Sequence, residues 1–161
     1  NLLLEPMGIY VVPANPRKFL VDDWFVANTR EGARVKIAYL TTRFKEYFLG
    51  KVERRNNSTT LRYYELTKSS TGEVILAELG GEEKAEATLS EMFYLMKKQA
   101  KGEEGTLLPN SYANIFYIRD INGILREASC RWDGEGWYLD VRPVSDLWVW
   151  DKGRQVFSRN F

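Results

Sequence analysis

The sequence predicts an α+β fold that is predominantly β, an antiparallel meander or partly closed barrel with one packing helix near residues 88–101. Aromatic residues make up 14% of the chain, and aromatic side chains favour strands. Several stretches alternate apolar and polar residues with a period of two, whereas one stretch repeats its apolar residues at helical spacing. The length of 161 residues suits one domain, so we expect residues 1–161 to form a single β-rich domain.

Short strands separated by turn residues are predicted for the first half of the chain. The candidates lie at 9–12, 24–28, 33–40, 46–55, 59–68 and 73–79. In the third candidate, Val35 and Ile37 alternate with charged residues, which is the period of a half-buried strand. Asn56, Asn57 and Ser58 supply turn chemistry between two candidates. The last four candidates therefore predict an antiparallel meander.

Residues 88–101 carry the clearest helix signals in the chain. Thr88 and Glu91 have the spacing of a capping box, and Gly102 fits the position just after a helix end. One face is made by Leu89, Met92, Phe93, Met96 and Ala100. We predict a helix here whose methionine and aromatic face packs into the core and does not form a cofactor site.

The turn at residues 120–123 admits two strand registers. A two-residue loop would place Arg119 opposite Arg126, a like-charge pair that costs stability. A type I turn with Gly123 in the left-handed conformation avoids this pair and places Ile118 opposite Arg126. We prefer the second register because it agrees with the register of the next turn, at residues 133–136, on which face is apolar.

These registers sort the three strands within residues 113–143 into two faces. The apolar face holds Phe116, Ile118, Ile124, Ala128, Cys130, Trp132, Trp137, Leu139 and Val141. The other face holds Ile115, Tyr117, Arg119, Leu125, Glu127, Ser129, Arg131, Tyr138, Asp140 and Arg142. Cys130 is thus expected to be a core residue. The second face is either a solvated surface held by cross-strand pairs or a recognition surface rich in tyrosine and arginine.

The C-terminal segment is rich in tryptophan. Trp148 and Trp150 alternate with aliphatic residues, which is compatible with core or edge packing. The same segment could instead form an aromatic rim that also carries Arg154 and Arg159.

Composition excludes several chemistries. The chain has no histidine and one cysteine, which removes Ser-His-Asp and Cys-His nucleophile systems, histidine metal sites, internal disulfides and Cys-based zinc sites. It carries no phosphate-binding loop and no dinucleotide fingerprint, so we expect no cofactor and assign no catalytic or metal-ligating residue. The 23 basic and 22 acidic residues leave a net charge of +1, which argues against a general polycation.

The single thiol fits a reducing compartment, and we expect a cytoplasmic protein. No apolar run approaches the roughly 20 residues of a membrane span, so no membrane partner is expected. The chain begins with Asn1 and not with methionine, which is compatible with upstream residues or a removed leader.

The C-terminal third carries a recognisable pattern. It reads SYANIFYIRDINGIL at 111–125, RWDGEGWYLDV at 131–141 and WDKGRQVFSRN at 150–160. This pattern resembles a set of short uncharacterised bacterial proteins of candidate phyla, in which GYANIFYVRDxNGxL precedes a W…GW element and the chain ends in VFSRN. The resemblance extends to VPANPRKFLVDDWFVANT at 12–29. It implies a bacterial protein, and because that family has no assigned activity, no catalytic residue carries over.

We expect a non-enzymatic binding or interaction module with a protein partner. Its candidate binding residues are Tyr117, Arg119, Arg131, Tyr138, Arg142, Trp148 and Trp150. A nucleic-acid-binding accessory protein using the tyrosines and arginines of this set is the first alternative. A hydrolase that uses carboxylates is the second, and it requires a deep pocket with an Asp or Glu of raised pKa. Edge strands rich in valine and aromatics also leave a homo-oligomer open.

Overall fold

The computed structural model describes residues 2–159. The strands are β1 (Leu4–Val12), β2 (Phe19–Leu20), β3 (Ile37–Leu40), β4 (Val52–Glu53), β5 (Thr59–Leu66), β6 (Ser70–Thr71), β7 (Glu86–Ala87), β8 (Asn114–Arg119), β9 (Leu125–Trp132), β10 (Trp137–Pro143), β11 (Val149–Trp150) and β12 (Gln155–Arg159). The helices are α1 (Val21–Trp24), α2 (Thr42–Phe48), α3 (Gly72–Glu78), α4 (Glu82–Ala85) and α5 (Leu89–Lys98). The predicted β-rich α+β class is confirmed.

One large mixed sheet organises the chain. Its strand order is β1-β5-β12-β8-β9-β10-β3, and β7 pairs with β8 beside β12. The contacts of β12 and β7 with β8, and of β10 with β3, are parallel, and the others are antiparallel. Within residues 2–159 the end strands β1 and β3 do not pair with each other, so the sheet is open and a partly closed barrel is not confirmed. The four-strand meander predicted for residues 33–79 is wrong, because β3 and β5 are not neighbours in the sheet and helices α2 and α3 occupy part of this range. Within the large sheet, the consecutive antiparallel strands are β8, β9 and β10.

The register predicted for these three strands is confirmed. Ile118 pairs with Arg126, and Trp132 pairs with Trp137. Gly123 has a φ of 81°, and its N–H donates to the Asp120 carbonyl at 2.9 Å. Only a residue without Cβ adopts this left-handed conformation at no steric cost, so the local turn chemistry sets the register of the whole hairpin.

Two predicted strands are wholly or partly helical in the structure. Residues 73–78 lie in α3, and the Thr71 side chain, just before the helix, accepts a hydrogen bond from the Val74 N–H. Residues 46–55 were predicted as a strand, but α2 runs to Phe48 and only Val52–Glu53 is extended. Both errors have one cause: a short apolar run bounded by turn residues fits a buried helix as well as a strand.

The strand predicted at 24–28 is also wrong. Val21–Trp24 forms α1, and Asn28 makes only an isolated bridge to Ile37. The strand predicted at 33–40 is shortened to Ile37–Leu40. The strand predicted at 59–68 is confirmed as β5 over Thr59–Leu66.

Helix α5 and its capping box are confirmed. The Glu91 N–H donates to Thr88 Oγ1 at 3.1 Å, and the Thr88 N–H donates to Glu91 Oε1 at 2.8 Å. The helix ends at Lys98, before the predicted boundary, because Gln99 leaves the helical conformation and its side chain bonds to the backbone at Glu103 and Leu107.

Replacing Thr88 by alanine should lower the free energy of unfolding by about 1 kcal/mol, because the Glu91 N–H loses its acceptor. Urea denaturation measures this loss. Replacing Thr88 by serine keeps the hydroxyl and is the matched control, with a change of only a few tenths of a kcal/mol. An alanine variant as stable as the native protein would contradict the capping role.

Hydrophobic cores lie on both faces of the sheet. The first face, which carries Phe116, Cys130 and Leu139, packs against α2 and α5. The second face carries Ile115, Tyr117 and Leu125, and packs against α3 and Trp150. The expected first-face set is confirmed except that Ile124 is exposed and Trp132 is only partly buried.

The second face is therefore not a solvated surface along its whole length. Its β8 residues lie beneath α3, and only the part formed by β9 and β10 borders an open cavity. The sequence does not indicate this cover because residues 73–79, which lie mostly in α3, predict a strand.

Candidate binding pocket

Five of the seven predicted binding residues line one cavity of about 380 Å³ on the second face: Arg131, Tyr138, Arg142, Trp148 and Trp150. Two further arginines, Arg43 and Arg154, line the same cavity. We call this cavity, with its four arginines and two tryptophans, the arginine pocket.

The other two predicted residues lie elsewhere. Tyr117 is fully buried beneath α3, and its hydroxyl donates to the Gly72 carbonyl at 2.6 Å. Arg119 lies at the far end of β8, where it pairs with Glu82 at 3.1 Å and Glu86 at 3.2 Å. Tyr117 thus anchors α3 to the sheet, and Arg119 ties α4 and β7 to β8.

The floor of the arginine pocket comes from the alternation of β9 and β10. Ser129 pairs with Asp140, and Arg131 pairs with Tyr138. Because alternate residues of a strand project to one face, these four side chains share the second face. The wall comes from the connection between β10 and β12, where β11 pairs with β6 and places Trp150 over the sheet.

Three of the four guanidinium groups lie over aromatic rings. Arg131 lies 4.2 Å from the Tyr138 ring centroid, and Arg142 lies 4.0 Å from the Trp148 ring centroid. Arg154 lies 4.3 Å from the ring centroid of Tyr112. A cation–π contact restrains a guanidinium while leaving its N–H groups able to donate hydrogen bonds.

The charges of the four arginines are not equally neutralised. Arg43 pairs with Asp140 at 3.0 Å, and Arg142 pairs with Asp146 at 3.4 Å. Within residues 2–159, neither Arg131 nor Arg154 is part of an ion pair. Two pre-oriented cations in the pocket therefore lack an anionic partner in the described chain.

Glu127 lies behind Trp150 and has 1% of its surface exposed. The Trp150 indole N–H donates to Glu127 Oε1 at 3.0 Å, and Oε2 has no hydrogen-bond partner in the described residues. Burial raises the pKa of Glu127 to about 8, although the Trp150 hydrogen bond and the Arg142 charge oppose the shift. A side chain at Gly72 would collide with this carboxyl, so the glycine allows α3 to approach it.

An exposed apolar rim borders the pocket. Leu147 is 86% exposed, and Trp148 and Val149 are also exposed. Three consecutive exposed apolar residues beside a charged cavity are typical of a surface that a partner covers.

Sequence reasoning missed Arg43 because residues 41–45 lie between two predicted strands, whereas the structure places Arg43 in α2. Arg43 reaches the pocket through its pairing with Asp140, which is 97 residues away in the chain. The sequence predicts Arg154 only as part of a C-terminal aromatic rim. No local signal in the sequence joins either arginine to β9 and β10.

Among residues 2–159, no group of three or more His, Cys, Asp or Glu side chains could hold a metal ion. Over the same range, no helix has the length and hydropathy needed to span a lipid bilayer. No protein-family model, curated protein or solved structure shows a significant match to the chain.

Proposed function

We propose that the protein is a non-enzymatic binding module whose arginine pocket receives a carboxylate-bearing segment of a protein partner. The observation that carries the proposal is the pair Arg131 and Arg154. Each guanidinium carbon lies over an aromatic ring, 4.2 Å from the ring centroid for Arg131 and 4.3 Å for Arg154, and each arginine lacks an ion-pair partner in the described residues.

A carboxylate suits these two arginines for geometric reasons. A guanidinium presents parallel N–H groups that match the two oxygens of a carboxylate. Because ring contacts already restrain Arg131 and Arg154, the two side chains lose less freedom when a ligand binds. A volume of about 380 Å³ is at the small end of ligand pockets, which fits one or two side chains of a peptide.

The apolar rim favours a protein partner over a free small anion. Leu147, Trp148 and Val149 would lie in water unless a partner covers them. Interfaces commonly combine aromatic and arginine anchors with an apolar centre. An acidic segment flanked by apolar residues would satisfy both the pocket and its rim.

Nucleic acid is the alternative ligand, since phosphates also bind arginine and bases stack on tryptophan. Two carboxylates, Asp140 and Asp151, line the same pocket as the four arginines, which leaves a small net positive charge for a backbone that carries one negative charge per nucleotide. The localised cavity also differs from the extended basic groove that tracks a nucleic-acid strand. The geometry therefore favours the protein partner.

The hydrolase alternative receives less support from the geometry. Glu127 has the raised pKa that an acid catalyst needs, but it is buried and does not line the arginine pocket. A substrate in the pocket would meet Trp150 before it met the carboxyl. We therefore assign Glu127 a structural role beneath the pocket.

The proposal places the module in the bacterial cytoplasm, in keeping with the sequence resemblance and with the buried free thiol of Cys130. A second copy of the chain is a further candidate partner. Edge strand β1 exposes Met7, Ile9 and Val11, and such an edge can pair with another strand.

Anisotropy of a fluorescein-labelled peptide tests the proposal. The probe alternates glutamate with leucine, and a second peptide replaces every glutamate by glutamine. We expect the double variant Arg131→Gln, Arg154→Gln to bind the glutamate peptide at least tenfold more weakly, which is about the contribution of one charged hydrogen bond. The native protein should prefer the glutamate peptide to the glutamine peptide by a similar factor.

Arg55→Gln is the matched control, because Arg55 is exposed and does not line the pocket. Its affinity should equal that of the native protein. Equal binding of both peptides, or an unaffected double variant, would overturn the proposal. Tighter binding of a single-stranded oligonucleotide, with a steep loss of affinity as salt rises, would replace it by the nucleic-acid alternative.

A further inference from the structure

A second cavity lies on the first face of the sheet, on the side that carries α5. Its volume is about 400 Å³, and it is bounded by the loop that follows β1 and by one face of α5. We call it the α5 pocket. It shares no lining residue with the arginine pocket.

The base of the α5 pocket is aromatic. Phe19 and Phe93 are buried, and Trp24 is half-buried beside them. The Trp24 and Phe19 rings stack with centroids 6.0 Å apart, and the Trp24 and Phe93 centroids are 5.6 Å apart. The Arg34 guanidinium lies 4.2 Å from the Trp24 ring centroid, so the indole that borders the cavity is held in place.

The walls of the α5 pocket are formed before any ligand binds. Ser90, Phe93, Tyr94 and Lys97 follow helical spacing and present one face of α5 to the cavity. The opposite wall is the loop at 13–18, which contains two prolines. Reciprocal backbone hydrogen bonds of 3.0 Å join Asn15 and Asn56 in that wall. A preformed pocket of this size is typical of a small-molecule site.

All of the charged side chains that line the α5 pocket are cationic. Arg17, Lys18 and Lys97 line it, and among the described residues no Asp or Glu does. None of the three cations forms an ion pair within residues 2–159. The chain as a whole is nearly neutral, so this local excess of positive charge is not a consequence of composition.

We propose that the α5 pocket binds an amphipathic organic anion, with its apolar or aromatic body on Phe19, Trp24 and Phe93 and its acidic group at the rim. Desolvation of the half-buried Trp24 ring, together with van der Waals contact with Phe19 and Phe93, favours the body of such a ligand. Unpaired cations at the rim favour a carboxylate, sulfonate or phosphate group. This site is independent of the arginine pocket and of the function proposed for it.

Titration with 2-naphthoate, followed by the indole ¹H–¹⁵N resonance of Trp24, tests this site. The neutral isostere 2-naphthalenemethanol reports the contribution of the anionic group. We expect 2-naphthoate to shift the Trp24 resonance saturably and to bind roughly tenfold more tightly than the alcohol. The double variant Arg17→Gln, Lys97→Gln should lose most of that preference while still binding the alcohol.

Lys45→Gln is the matched control, because Lys45 is an exposed helical lysine in α2 that does not line the α5 pocket. It should bind 2-naphthoate as the native protein does. No saturable shift of Trp24 would overturn the proposal. Equal affinity for the acid and the alcohol, or equal affinity of the double variant and the native protein for 2-naphthoate, would also overturn it.

Discussion

Between about pH 5 and about pH 9, the free energy of unfolding of the native protein is expected to fall by about 4 kcal/mol more than that of the variant Glu127→Gln. Burial raises the pKa of Glu127 in the folded state from 4.5 to about 8. Between these values the folded protein holds a proton that the unfolded chain has released. The raised pKa therefore makes its full contribution to the free energy of unfolding at acidic pH, and this contribution is lost as the pH rises through about 8.

The surroundings of Glu127 explain why the neutral form is favoured. Glu127 Oε2 has no hydrogen-bond partner in the described residues, and Oε1 accepts only from the Trp150 indole. Arg142 would stabilise the ionised carboxyl, but Asp146 opposes it. Glutamine has a similar shape and stays neutral at every pH, so it removes the titration while keeping the acceptor for Trp150.

Chemical denaturation of both proteins over this pH range measures the effect. Groups that titrate elsewhere contribute equally to both, so the difference between the two curves isolates Glu127. Glu65→Gln, which changes an exposed carboxyl on β5, should keep the native pH dependence. If the free energy of unfolding changed with pH in the same way for the native protein and for Glu127→Gln, that result would contradict the assignment of a neutral buried carboxyl.

Replacing Glu53 by alanine is expected to lower the free energy of unfolding by about 3 to 5 kcal/mol. The Glu53 carboxylate accepts from the backbone N–H groups of Leu89 and Ser90, each at 2.9 Å. It also pairs with Lys51 at 3.1 Å. These contacts place a buried anion at the N-terminus of α5, where the helix dipole favours negative charge.

The size of the effect follows from what the substitution leaves behind. Two backbone donors lose their acceptor, and Lys51, whose side chain is 16% exposed, loses its carboxylate partner. Glu53→Gln keeps one acceptor oxygen and should cost less than the alanine variant. Glu46→Ala, at an exposed position of α2, is the control and should change stability by less than about 0.5 kcal/mol. A similarly small loss for Glu53→Ala would show that the carboxylate does not hold α5 to β4.

The parts of the fold that the sequence predicted are those with local determinants. The turn around Gly123 and the alternation of β8, β9 and β10 specify the register without reference to the rest of the chain. Helix α5 was predicted because Thr88 and Glu91 mark its beginning. By contrast, Ile75 and Leu76 in α3 are apolar in a run too short to separate a helix from a strand.

The same distinction applies to the arginine pocket. Arg131, Tyr138 and Arg142 could be grouped from sequence because period two places them on one face of adjacent strands. Arg43 could not, because it reaches the pocket only through the packing of α2 against β10. Tyr117 was expected in the recognition surface because nothing in its own strand indicates that α3 covers it.

The five tryptophan indoles allow the most direct test of the arginine pocket. Trp148 and Trp150 line it, and Trp24 lines the α5 pocket. Trp132 and Trp137 pack in the hydrophobic core on the first face of the sheet. In a ¹H–¹⁵N titration with the alternating glutamate and leucine peptide, we expect the Trp148 and Trp150 resonances to shift saturably while the other three stay in place. Unchanged Trp148 and Trp150 resonances at millimolar peptide, or a shift confined to Trp24, would contradict a carboxylate-binding role for the arginine pocket.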